Sequence, residues 1–309
     1  MNKIYLFVLA LLMLFFQSCS NKEIENYSQS NDVNNVNSEL LIKMTSFNDS
    51  ILQTRGVTRG FVKPGMYKRA RVIAGDIEGA ISTGGACFWA GSFAGPQAAI
   101  GCGFLGGLIG GVSGSWLAYR EQYWTRANSL TPEDLENTKE KTIAAYASMI
   151  SNEEEVMKFT PKEIRVDYPV KDENITLMGT KHNFMLKKLI SNETIDLNIS
   201  NKLSKEQVKF LNSKEFNDAI SGAMKNISKN LKDGNQMKSK GDGLTAKVMN
   251  LFYEILAKYP DNLNDIEFII NKYIEAIDAT KELSNNEKKI IYAGLSVAAS
   301  SSEFWLKNY

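Results

Sequence analysis

In the C-terminal half of the chain apolar residues return every three or four positions. Leu251, Ile255, Leu256 and Tyr259 form one series, and Ile266, Ile269, Ile270, Tyr273, Ile274 and Ile277 another. That spacing lines up side chains on one stripe of a helix. Helix starts are marked as well. Thr131-Pro132-Glu133-Asp134 offers an N-cap threonine, a first-turn proline and acids at the positive end of the helix. Ser204-xx-Gln207 and Ser284-xx-Glu287 match capping boxes. Tyr259-Pro260-Asp261 breaks one helix from the next, and Lys232-Asp233-Gly234-Asn235 and Lys240-Gly241-Asp242-Gly243 read as loops. The stretch 160–175, with Pro161 and Pro169, reads as extended and irregular. The pattern predicts an all-α protein with six or seven helices between residues 130 and 309.

Between Gly79 and Tyr119 the pattern changes: no residue is charged, and glycine is dense. Gly75/Gly79, Gly91/Gly95, Gly103/Gly107, Gly106/Gly110 and Gly110/Gly114 each sit four apart, which places them on common helix faces. A face without side chains lets a partner helix come close. Gly95-Pro96 suits a helix end followed by a new first turn, so the segment 74–119 reads as a hairpin with helices 74–94 and 97–119. Arg69, Arg71 and Arg120 mark its open end. Each helical glycine costs about 1 kcal/mol relative to alanine. A dozen of them demand compensation, from close packing or from lipid. Two readings follow. Either this is a glycine zipper packed on the helical domain or on a second copy, or it is a membrane-inserting hairpin, similar to bacteriocin-like peptides. The surroundings of Phe88, Phe93, Phe104 and Leu108 discriminate them: contact with the 130–309 helices makes the hairpin structural, whereas a lone apolar rod points to insertion.

Composition narrows the chemistry. Lys and Arg total 36 against 35 Asp and Glu in 309 residues, a neutral balance that argues against a nucleic-acid partner. One histidine, His182, and three cysteines, Cys19, Cys87 and Cys102, exclude a zinc-finger type of metal site by count. His182 lies in Gly179-Thr180-Lys181-His182-Asn183, which opens an amphipathic helix with Phe184, Leu186, Leu189 and Ile190. Without a nucleophile in recognisable context, His182 and Asn183 read as structural hydrogen-bonding groups near a helix start. Lys240-Gly241-Asp242-Gly243 lacks the form of a phosphate loop. Asp261, Asn264, Asp265 and Glu267 lack the spacing of a calcium loop. No catalytic residue, metal site or cofactor is expected. Cys87 and Cys102 straddle the Gly95-Pro96 turn and read as a candidate disulfide.

The N-terminus supplies an address. Lys3 precedes an apolar run of 13 residues, Ile4 to Phe16, too short to span a bilayer and right for a signal peptide. Phe16-Gln17-Ser18-Cys19 then resembles the lipobox of bacterial lipoproteins, although Phe16 stands where leucine is usual and Gln17 where a small residue is; the resemblance implies lipidation of Cys19. Ser20-Asn21-Lys22-Glu23-Ile24-Glu25 resembles the surface-export signal of Bacteroidetes lipoproteins. The chain is further similar to uncharacterised Bacteroidetes lipoproteins in three places. These are Ala74-Gly75-Asp76-xx-Gly79-Ala80, Gly179-xx-His182-Asn183-xx-Leu186, and a C-terminal Ser/Ala helix ending in Glu303-Phe304-Trp305. That resemblance implies an outer-membrane location but no activity. The expected organisation is a signal peptide 1–18, a disordered tether 19–52, a basic lead-in 53–73, the hairpin 74–119 and a helical domain 120–309. The expected function is a lipid-anchored envelope protein, not an enzyme, that binds a protein partner or self-associates through the hairpin. Membrane insertion by the hairpin is the alternative.

Overall fold

The structure is a computed structural model that describes residues 38–54, 64–92, 96–124, 131–150, 152–191, 202–232, 237–259 and 261–308. The expected signal peptide, Cys19 and the first part of the tether lie outside these residues, as do Phe93 and Gly95. The described chain is all-α, with twelve helices and no strand.

The first helix, α1 (Glu39–Thr54), corrects the expected tether 19–52, which is helical and packed from Glu39 onward. Leu40, Met44, Asn48 and Ile51 form its buried stripe. The polar member of that stripe is satisfied inside the protein. Asn48 Nδ2 donates to the Leu251 carbonyl at 3.0 Å, and Tyr273 OH donates to Asn48 Oδ1 at 3.1 Å.

The hairpin is formed by α2 (Pro64–Ser92) and α3 (Pro96–Tyr119), and α3 runs on into a π-helical turn, Arg120–Trp124. The first arm starts ten residues earlier than its expected start at residue 74, with Pro64 in the first turn, so Arg69 and Arg71 belong to the helix rather than to a basic lead-in. Both arginines pin its base. Arg69 pairs with Asp261 at 2.6 Å, and Arg71 donates to the carbonyls of Asn230 and Leu231.

Nine helices follow, more than the six or seven expected, because short turns add to the six long ones. They are α4 (Pro132–Ile150), α5 (Glu153–Met157), α6 (Glu173–Thr176), α7 (Met178–Ile190), α8 (Lys205–Leu211), α9 (Lys214–Lys232), α10 (Leu244–Leu256), α11 (Leu263–Ala279) and α12 (Asn285–Asn308). The expected caps are formed. Thr131 Oγ1 accepts from the Asp134 amide at 3.1 Å, Ser204 and Gln207 make a reciprocal capping box, and Ser284 and Glu287 do the same. Residues 161–172 form no helix, as the prolines suggested, but the expected irregular stretch 160–175 ends early, at the start of α6 at Glu173.

Helices α2 and α3 pack chiefly on each other. Around them, α9 lies against both arms, α12 against α2, and α7 against α3 and α12, while α1 joins at α10 and α11. The hairpin is therefore the centre of the molecule. Val72, Ile73, Ile77, Leu108, Ile109, Val112 and Leu117 are wholly buried in it. Phe88 and Leu108 are buried, and Phe104 is half-buried against the core with the Lys181 ammonium 4.8 Å from its ring centre. A helix that is apolar on all sides belongs in such a centre. Glycines elsewhere extend the close packing. A Cβ at Gly179 of α7 would meet the Ser300 side chain of α12, and one at Gly294 of α12 would meet Ile81 of α2.

Candidate functional site

The hairpin's uncharged run begins just after two acids, Asp76 and Glu78. At about 100° per residue they project from opposite sides of α2. Both are fully buried. Asp76 faces α12, where its Oδ2 accepts from the Ser301 hydroxyl and from Trp305 Nε1, the latter at 3.1 Å. The Ser115 hydroxyl of α3 lies beside the carboxyl, but neither it nor Oδ1 completes a hydrogen bond of normal geometry. Burial pushes the Asp76 carboxyl up to about 7, and the donors from Ser115, Ser301 and Trp305 limit the rise.

Glu78 faces α9 and α10. Its Oε1 accepts from Ser82 Oγ at 2.6 Å and Asn226 Nδ2 at 3.0 Å. Its Oε2 accepts from the Ser239 hydroxyl and from Tyr253 OH, the latter at 3.1 Å. Burial raises this carboxyl too, against four neutral donors. The phenol of Tyr253 is in turn pushed far up, first by burial and then by the neighbouring carboxylate.

His182 lies on α7 against the second arm, where a Cβ on Gly111 would touch its ring at 3.3 Å. Asn183 Nδ2 donates to the Ser300 carbonyl at 2.8 Å, which fixes the orientation of the amide. Asn183 Oδ1 therefore faces His182 Nδ1 at 3.1 Å, and Nδ1 carries the hydrogen. Nε2 is buried without a hydrogen-bond partner. Burial pulls the imidazole down to about 4, although Asn183 and the Gly111 carbonyl favour its charged form. The neutral imidazole is fully enclosed against α3, and its neighbour Asn183 ties α7 to α12.

Glu303 organises the irregular segment before α6. Its carboxylate accepts from the amides of Lys162 and Glu163, each at 2.9 Å, and pairs with Lys307 at 2.6 Å. Burial raises this carboxyl, but the Lys307 ammonium and the two amides outweigh it and hold it below the usual glutamate range. Near the hairpin tip a cavity of about 50 Å³ has Gly84, Phe88, Phe104, Met178, Asp172 and Lys289 among its lining residues. Ligand pockets usually measure about 300–1,000 Å³, so this one is far below that size. Among the described residues no cluster of three or more His, Cys, Asp or Glu is placed to hold a metal ion.

Of the glycines expected to pack, Gly75, Gly79, Gly103, Gly107, Gly110 and Gly114 all face the opposite arm, and Gly91 is buried. Gly106, spaced four from Gly110, faces it too, and so do Gly84 and Gly111, which the spacing did not single out. Cys87 and Cys102 are not bridged in the structure, so the expected disulfide is not formed. The acids were missed as a site: Asp76 stood out only within a motif, and Glu78 was not singled out. The one available signal was their position, five and seven residues beyond Arg71 and inside the glycine spacing of Gly75 and Gly79. No protein-family model, curated protein or solved structure matches the chain.

Proposed function

We propose that the chain is a lipoprotein of the cell envelope, anchored at the outer membrane through lipid on Cys19, whose helical body is a structural or binding module and not an enzyme. The observation that carries this reading is the position of the hairpin at the centre of the body. Its two glycine faces are occupied by each other, and its acids close on hydroxyls, an amide, a phenol and an indole of the surrounding helices. Buried hydrogen bonds of this kind fix how the surrounding helices sit on the hairpin. They leave the outer faces of α9, α10 and α11 to meet a partner. The test is membrane fractionation of Cys19→Ala. The variant is expected to lose its lipid label and move to the soluble fraction. Retention in the membrane would overturn the reading, because the hairpin would then be the anchor.

One observation favours a second reading, insertion of the hairpin into a membrane. The helix Gly101–Gln122 is long and apolar enough to cross a bilayer, although most of it is buried inside the protein. Release of a trapped dye from lipid vesicles by the mature protein would support insertion, and intact vesicles would count for the first reading.

A further inference from the structure

The two arms of the hairpin meet in a regular ladder. A Cβ on Gly75 would lie 3.3 Å from the Gly114 carbonyl oxygen, one on Gly79 would overlap the Gly110 carbonyl, and one on Gly106 would lie 3.2 Å from the Thr83 carbonyl oxygen. The rungs are thus 75/114, 79/110 and 83/106, each four residues further up one arm and down the other. The next rung in this register is Cys87 with Cys102. The arms remain close there. A Cβ on Gly103 would lie 2.9 Å from the Phe88 Cβ, and one on Gly106 would collide with the Cys87 thiol. Cys87 is buried and Cys102 is half-buried.

We propose that Cys87 and Cys102 form an oxidisable thiol pair, closed by a disulfide-class oxidant into a bridge across the tip of the hairpin. The more exposed Cys102 enters first. Its thiolate attacks one sulfur of the oxidant, forms a mixed disulfide and expels the first oxidant thiol. Cys87 then loses its proton and attacks the Cys102 sulfur, expelling the second. One disulfide and two protein thiols become one protein disulfide and two small thiols, with no other electron donor or acceptor. Burial raises the Cys87 thiol, so the second step is the slower one and quickens as pH rises.

The test uses the intact protein and oxidised glutathione. After the reaction free thiols are alkylated under denaturing conditions, without reductant, and the chain is cut with trypsin. Cleavage after Arg71 and Arg120 yields one peptide, Val72–Arg120, that contains both cysteines and excludes Cys19. The expected product is this peptide lighter by two hydrogen atoms and unlabelled. Cys87→Ser is expected to stop at a stable glutathione adduct on Cys102, and Cys102→Ser to leave Cys87 unmodified. In urea, where the arms part, the bridged fraction is expected to fall. Recovery of two free thiols from the wild type would overturn the proposal. So would a glutathione adduct on Cys102 that never resolves, or equal closure in urea. The wild-type peptide decides the matter even where a serine variant fails to fold.

Discussion

Replacing Gly79 by alanine sets two effects of opposite sign against each other. In an exposed or loosely held helix the change is stabilising, by about 1 kcal/mol, because alanine is the better helix former. At Gly79 the new Cβ would overlap the Gly110 carbonyl oxygen and stand 2.7 Å from its carbon and 3.2 Å from the Gly111 Cα. These are backbone atoms, so no rotamer change relieves the overlap, and the arms must separate by an ångström or more. Overpacking of this kind costs about 1–3 kcal/mol, and a backbone-on-backbone contact belongs at the upper end. With the propensity gain subtracted, Gly79→Ala is expected to destabilise by about 2 kcal/mol. At roughly 2–4 °C per kcal/mol for a chain of this size, the melting temperature falls by about 4–8 °C. The controls are Gly101→Ala in α3 and Gly222→Ala in α9, where an added Cβ meets nothing within 4 Å. Both are expected to leave the melting temperature unchanged or to raise it. Thermal unfolding followed by circular dichroism reads all three. A Gly79→Ala variant that melts higher than the wild type, alongside Gly101→Ala, would refute the packing argument and leave the glycines without their structural reason.

The buried ionisable groups give a pH profile with a definite sign. Asp76 is raised from 3.8 to about 7, so its contribution is fully present below pH ~4 and is lost as pH rises through about 7; the order of magnitude is 4 kcal/mol, and Asp76→Asn should flatten that limb of a urea-midpoint profile. His182 works in the other direction: lowered from 6.5 to about 4, it favours the fold above pH ~6.5 and loses that contribution as pH falls toward 4, so His182→Ala should remove the acid limb while costing about 1 kcal/mol or more near neutrality. Glu303→Gln should weaken the charge-assisted bonds to the 162 and 163 amides, and their hydrogen exchange should quicken without a matching change in the core of α3; unchanged protection would show that Glu303 does not hold the segment.

Local chemistry made much of this fold legible. The three capped helix starts depend on residues three apart, and the packing of the hairpin arms depends on a four-residue glycine period, all visible in a short window. The structural reading of His182 and Asn183 is consistent with the observed geometry, although the residue that orients the pair, Ser300, lies 117 positions from Asn183. Elsewhere the sequence misled for identifiable reasons. In α1 one of the four buried positions is Asn48, which hides the apolar stripe within an Asn- and Ser-rich segment. At the hairpin base, acids normally mark a solvated helix end. Their burial depends on Tyr253, Ser301 and Trp305, 175 to 229 positions away, and no local pattern encodes such pairings.

That separation has a consequence for the order in which the protein can assemble. The arms of the hairpin adjoin in sequence and can associate as soon as both have been made. The groups that close Glu78 and Asp76 come much later, and those for Asp76 stand in the last helix. A chain delivered N-terminus first therefore presents an apolar hairpin whose base still carries two hydrated, ionised carboxylates. Dehydrating them without partners is costly, so the base of α2 remains in water until α12 arrives. Until the residues able to satisfy them are present, the two acids oppose burial of this part of the hairpin in any apolar phase.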